Sequence, residues 1–380
     1  MQITKFAIPE VIFGNGSIKF LASCAQRLGA KRVLLVSDKG LEESGWVQKI
    51  LNILEAEKLE CVYFNELTAN PRDCQIQQGA KLYRDHKADV IIGLGGGSPI
   101  DASKGIATIV SNGGRIHDYE GANRISHPLP PMIFIPTTAG SGSDVSQYAI
   151  ITDKQRQVKM SIISRSLVPN ISIIDPDLLV TKSRELILAS AVDALAHAIE
   201  SYVSRLASPF TESQALTAIG LIAGNIKPAA NSKDREALKN LAIASTAAGM
   251  SFSNAGLGVG HALAHSLGGR YDVTHGMTLP ILLPSVVRFN QHSCERKMDT
   301  IARTIKASCP APVNDKKKPL SEMLHSMFEE LEIPMRLRDI VPDNNQMEEI
   351  CRLAVKDACS VPNPKEAKWQ DLLEICSEAW

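Results

Sequence analysis

Short unbroken apolar runs alternate with longer amphipathic stretches through the first half of the chain. Residues 32–37, 60–64, 89–94 and 132–135 are rich in Val, Ile and Leu and carry few polar interruptions. Runs of that length without a polar face predict strands covered on both sides. Between them, 46–57 and 74–86 place apolar residues at helical spacing. Two more strand-like pieces follow at 146–152 and 171–174, the second ending in the turn signal Asp175-Pro176-Asp177. Past about residue 183 the period changes. Ala, Leu, Glu and Ile recur at helical spacing over 185–205, 210–226 and 234–250, with almost no β-branched runs. The pattern predicts an α/β domain with a mainly parallel sheet over 1–180 and an all-helical domain over 181–380.

Composition narrows the partners. The chain of 380 residues carries 41 basic and 41 acidic side chains, so no bulk charge draws it to nucleic acid or to an acidic membrane surface. Its eight cysteines show no CxxC spacing, which predicts reduced thiols and a cytoplasmic protein. The first ten residues lack a basic segment followed by an apolar one, and no stretch reads as a run of about 18 apolar residues. No membrane partner is expected. Lys316, Lys317 and Lys318, after Cys309-Pro310-Ala311-Pro312, read as a solvated surface loop.

Three polar loops follow predicted strands. In Gly93-Leu94-Gly95-Gly96-Gly97-Ser98-Pro99-Ile100-Asp101, a buried strand meets a helix. Ser98 is expected as the N-cap, Pro99 as the first helical residue, and Asp101 as the reciprocal partner of a capping box. Glycines directly before free helical N–H groups suit a phosphate or pyrophosphate. The run is not GxGxxG, because Ser98 stands at its last glycine. Asp38 ends another strand, where a carboxylate can hold a ribose 2′-hydroxyl and repel a 2′-phosphate. Pro136-Thr137-Thr138-Ala139-Gly140-Ser141-Gly142-Ser143 is the third loop. Ligands bind beyond strand carboxyl ends in open α/β sheets, so the three together predict a nucleotide site.

The helical half holds a different chemistry. Asp193 and His197 are spaced i, i+4 among Ala, Leu and Ile, and so are His261 and His265; His275 follows ten residues later in Thr274-His275-Gly276. Those spacings put each pair on one helical face. A buried carboxylate and several imidazoles suit a divalent transition metal, and the absence of cysteine argues against a closed structural zinc site. Five candidates exceed four ligands, so one of them stands beside the metal or takes part in the reaction. His86, His117, His127, His292 and His325 sit in polar contexts and read as surface residues.

Taken together, Asp193-Ala194-Leu195-Ala196-His197-Ala198-Ile199-Glu200, Gly260-His261-Ala262-Leu263-Ala264-His265-Ser266-Leu267-Gly268-Gly269, Thr274-His275-Gly276 and the two glycine- and hydroxyl-rich loops resemble the iron-containing (group III) alcohol dehydrogenase family, in order and along nearly the whole chain. The resemblance implies a Rossmann-like N-terminal domain binding NAD(H) and a helical domain holding Fe2+ or Zn2+, in a two-domain design similar to dehydroquinate synthase. It implies Asp193, His197, His261 and His275 as metal ligands and His265 as a catalytic neighbour of the nicotinamide. It carries cofactor contacts onto Asp38, Asn70, Gly95, Gly96, Gly97, Ser98, Asp101, Thr137, Thr138, Ser146, Lys159 and Leu178, and a substrate-lining part onto Tyr148 and Phe252. Ser141 and Asp144 stand where the family often has Thr and Glu, and Lys365 where Arg is frequent. The implied activity is NAD(H)-dependent interconversion of a small alcohol and its aldehyde or ketone, by a homodimer or higher homo-oligomer. Glycerol dehydrogenase-like polyol oxidation and dehydroquinate synthase-like lyase chemistry are the alternatives. Few cations lie in 189–280, which favours a small neutral substrate over a phosphorylated one.

Overall fold

The apolar runs of the first half line up side by side as one sheet. A computed structural model of the protein describes residues 5–273, 275–309 and 318–380. Thr274 and the expected loop lysines Lys316 and Lys317 lie outside the described residues. The chain divides into two compact units, Ala7–Lys182 and Ser183–Trp380, and Lys5 and Phe6 belong with the second.

In the first unit, strands β1 (Glu10–Phe13), β2 (Arg32–Val36), β3 (Glu60–Phe64), β4 (Val90–Gly95), β5 (Gly121–Ala122), β6 (Met132–Pro136), β7 (Tyr148–Asp153), β8 (Val158–Ile163) and β9 (Ile171–Ile174) are interleaved with helices α1 (Leu21–Arg27), α2 (Lys39–Glu43), α3 (Trp46–Ala56), α4 (Asp73–Asp85) and α5 (Gly97–Asn112). The main sheet has the order β1-β9-β6-β4-β2-β3, and every pairing in it is parallel. A smaller sheet, β5-β8-β7, contains the antiparallel pair β7–β8. Alternate residues of the main strands feed two cores. Val33, Leu35, Ile92 and Ile133 pack with Leu21, Ile50 and Leu54 on one face. Leu34, Ile91 and Phe134 pack with Ile76, Ile106, Ile151 and Met160 on the other. Burial on both faces is why these strands read as unbroken apolar runs. Each such Leu or Ile contributes roughly 1.5–3 kcal/mol relative to exposure.

The chain reverses direction across the sheet at β2, because β3 and β4 flank it on opposite sides. The carboxyl ends of β2 and β4 therefore bound the crevice in which ligands of open α/β sheets bind. Gly95 turns the chain there with φ +155, and a Cβ on it would lie 2.5 Å from the Pro99 ring. Only glycine fits that turn. Strands β1 and β8, and the two-residue β5, were not expected from the pattern. The first is four residues long at a sheet edge and half exposed, while the second alternates buried and partly exposed positions rather than running apolar.

The second unit contains, among the described residues, helices α6 (Arg184–Val203), α7 (Pro209–Ser232), α8 (Arg235–Ala255), α9 (Val259–Tyr271), α10 (His275–Asn290), α11 (Glu295–Ser308), α12 (Leu320–Glu330), α13 (Met347–Ala354) and α14 (Trp369–Glu378), and no strand. Helix α7 passes the expected stop at 226 and continues through Pro228. Proline there costs a hydrogen bond, yet Ala229 and Ala230 beyond it are buried, so packing holds the last turn. Helix α6 corrects another expectation. It is long and apolar enough to cross a membrane, but most of its residues are buried inside the protein, as in a core helix.

Candidate functional site

Helix α6 carries Asp193 and His197 one turn apart, α9 carries His261, and α10 begins with His275. The four side chains converge, and their donor atoms all lie within 4.8 Å of one another. Asp193 Oδ1 is 4.0 Å from His197 Nε2, 3.8 Å from His261 Nε2 and 3.6 Å from His275 Nε2. These distances are too long for hydrogen bonds. They are compatible with donors shared by one ion, since two ligands at about 2.1 Å each stand at most about 4.2 Å apart. Asp193 Oδ1 and His261 Nε2 are buried and have no hydrogen-bond partner among the described residues. Burying such atoms bare costs several kcal/mol, so the donor set fits a divalent cation. Burial would raise the Asp193 carboxyl, but His197, His261 and His275 outweigh it and hold it well below the usual carboxylate range. Phe252 covers one side, its ring stacked on His197 at 4.4 Å.

His265 lies one turn beyond His261 but outside this set. Its Nδ1 is 3.0 Å from Asp357 Oδ2, and its ring is 6.5 Å from that of His261 and 5.3 Å from that of His275. Asp357, His265 and Cys359 form a second convergent group. Four of the histidines expected at the surface are exposed: His86, His127, His292 and His325. His117 is not. A 3-10 turn tucks it, half-buried, between Asp73 at 3.5 Å and Asp153 at 3.3 Å, the first residue of α4 and the last of β7.

In the first unit the three expected loops sit at adjacent strand ends. Asp38 follows β2 and caps α2, its Oδ1 accepting from Leu41 N at 3.0 Å. Thr137 follows β6, with its N–H on Gly95 O at 2.9 Å. The capping expected of Ser98 is overturned. Helix α5 starts at Gly97, its N-cap is Gly96, and no side chain caps it. Ser98 lies within the first turn and donates its hydroxyl to Ala69 O. Asp101 does not close a capping box either. It is buried and accepts from Ser143 Oγ and, at 3.0 Å, from Ile150 N. The first N–H groups of α5 are thus left open behind three glycines, which is the anion-binding arrangement.

A wholly buried lysine braces the chain that follows the third loop. Lys104 Nζ donates to Ser146 O at 2.8 Å and Tyr148 O at 2.7 Å, and lies 3.2 Å from Ser146 Oγ. Burial lowers its amine to about 8, against the opposing pull of Asp101 and Asp144. Leu178 is fully buried in the core, while Asn70 and Lys159 are half-buried, before α4 and on β8.

Two family descriptions match in tandem: "Iron-containing alcohol dehydrogenase" over residues 9–176, and "Fe-containing alcohol dehydrogenase family, C-terminal" over 187–380. The chain belongs to the iron-containing alcohol dehydrogenase family. It is 35% identical to the 1,3-propanediol dehydrogenase of Klebsiella pneumoniae, over 99% of this chain and 98% of that protein. It is 33% identical to the NAD-dependent methanol dehydrogenase of Bacillus methanolicus, over 99% of this chain and 100% of the relative. The crystal structure of a 1,3-propanediol oxidoreductase superposes with a TM-score of 0.95 at 34% identity, covering 100% of both chains.

For this iron-containing alcohol dehydrogenase, sequence reasoning missed two acidic residues. Glu200 is buried and lies 2.6 Å from His261 Nδ1; Asp357 faces His265. Glu200 stands in the same motif as Asp193 and His197, on a helix whose neighbours are Ala and Ile. A buried carboxylate among them was the available signal. Asp357 is 92 positions from its partner and left no local trace.

Proposed function

We propose that the enzyme interconverts a small alcohol and its aldehyde or ketone, as alcohol + NAD+ ⇌ carbonyl compound + NADH + H+. The observation that carries this is the convergence of Asp193, His197, His261 and His275 around two buried, unpartnered donor atoms. These four residues would hold Fe2+ or Zn2+, whose Lewis acidity polarises an alcohol or carbonyl oxygen. NAD(H) supplies the hydride acceptor or donor. The open start of α5 at Gly95, Gly96, Gly97 and Ser98 receives the pyrophosphate, with Thr137 and Thr138 beside it. Asp38 accepts from the ribose hydroxyls and disfavours a 2′-phosphate. Asn70, Ser146, Lys159 and Leu178 belong to the same nucleotide surround, and Asp101 holds its loop in place. His265 donates Nδ1–H to Asp357, which leaves Nε2 to take or return a proton. Phe252 stacks against His197 and shapes the apolar side of the substrate position. All eight cysteines are free, in keeping with a cytoplasmic enzyme, which we place as a homodimer or higher homo-oligomer.

The test is net reduction of NAD+ by a panel of short alcohols and diols, with metal content measured alongside. Stoichiometric NADH formation that follows metal occupancy is expected. Metal binding without net NADH on any alcohol or diol would redirect the assignment to lyase chemistry.

A further inference from the structure

We propose that Glu200 is a positioning residue of the metal centre: it fixes the tautomer of His261 so that the bare Nε2 faces Asp193. The inference rests on the metal reading above and deepens it. Three donors converge on this one carboxylate. Oε2 accepts from Gly258 N at 2.9 Å and Oε1 from Gly260 N at 2.7 Å, while His261 Nδ1 lies 2.6 Å from Oε2. A carboxylate so engaged only accepts, so Nδ1 carries the proton and Nε2 the lone pair. Nε2 is buried and has no hydrogen-bond partner among the described residues.

The same carboxylate finishes a helix. Gly258 is the N-cap of α9 and has no side chain to satisfy the first N–H groups. Glu200, reaching across from α6, supplies that acceptor instead. The approach is close. A Cβ at 258 would lie 2.9 Å from the Glu200 carboxyl, and one at 260 would lie 2.7 Å from Oε1. Glycines at 258 and 260 are therefore the space the carboxylate needs. The imidazole that follows them is oriented by the group that caps its own helix.

Glu200→Gln keeps the shape and removes one acceptor. Whichever way the amide turns, its NH2 meets a donor. Facing Gly260 N, it breaks the cap. Facing His261 Nδ1, it forces the proton onto Nε2, where it blocks a ligand bond. Co2+ affinity measured by chelator competition on the full-length protein should fall 10–100-fold, with NADH affinity unchanged. A Glu200→Ala protein that folds and binds Co2+ as tightly as wild type overturns the proposal, since it leaves His261 Nδ1 no carboxylate or amide acceptor at that position. Wild type that binds no divalent ion overturns the metal reading itself. Should the variant not fold, 15N-histidine-labelled, Zn2+-loaded wild type decides, with His261 assigned by its loss in His261→Gln. A protonated Nδ1 and a metal-shifted Nε2 are expected, and the reverse pattern refutes the assignment.

Discussion

His261 and His265 are imidazoles one turn apart on α9, and the structure separates them sharply. His261 Nε2 is one of four donors within 4.8 Å of one another, whereas His265 is outside that set and bonded to Asp357. Four-donor sites bind Zn2+ with roughly 10–16 kcal/mol, or about 2.5–4 kcal/mol per donor. At 1.4 kcal/mol per tenfold, losing one donor weakens the ion by about 10²–10³-fold. His261→Ala should therefore emerge from purification with well under one metal per chain and a chelator half-life far shorter than wild type. His265→Ala should keep its metal and NADH affinity but lose roughly 10²–10⁴-fold in kcat. It should also lose about 1 kcal/mol of stability, because the half-buried Asp357 loses its imidazole donor and keeps only Cys359 N. Elemental analysis and a kcat–pH profile on both variants read these outcomes. Metal lost from His265→Ala and retained by His261→Ala would reverse the ligand assignment.

Other outcomes follow from single features. Asp38→Gly should relax a wild-type preference for NAD(H) over NADP(H), measured as the ratio of kcat/KM values; a wild-type preference for NADP(H) would remove Asp38 from that role. Chelation should abolish turnover while NADH titration stays unchanged, since the loops and the histidine cluster belong to different compact units. Lys104 predicts a pH effect, because burial holds its folded-state amine at about 8 against an ordinary 10.5. The folded protein bears the whole cost of the buried charge below about pH 8, and that cost falls as pH rises through the interval up to 10.5 and is gone above it, where both states are neutral. Denaturant unfolding should show wild type gaining about 3 kcal/mol on Lys104→Met across that window; a flat difference would contradict it.

What could be read in advance was what a periodicity of two or of 3.6 writes into neighbouring residues. The buried strands β2, β4, β6 and β9 were legible because both their faces are covered. The helices were legible because Ala, Leu, Glu and Ile recur at helical spacing, and that spacing places Asp193 with His197, and His261 with His265, one turn apart. The failures have different causes. Edge strand β1 is too short and too exposed to show a pattern. The pattern over 210–226 ends two residues before Pro228, and the packing that carries α7 through that proline leaves no local trace. Ser98 had the chemistry of an N-cap, but the turn at Gly95 puts the N-cap earlier, at Gly96, and the first helical residue at Gly97.

The metal cluster shows the same division within a few residues. The i, i+4 spacing brings the candidate donors to common faces, and the resemblance selects four of five. The geometry adds a difference between the two imidazoles of α9, which is the identity of each one's acidic partner. Glu200 reaches His261 across 61 positions, and Asp357 reaches His265 across 92. One carboxylate is buried beneath a helix start and leaves its histidine's other nitrogen bare toward Asp193. The other belongs to a separate group with Cys359. The proposed function thus assigns one of two identical side chains on one face of one helix to holding an ion and the other to moving a proton, according to partners distant in sequence. The local trace of that division was Gly258-Val259-Gly260, a spacing that makes physical sense only once a carboxylate is known to fill the space it leaves open.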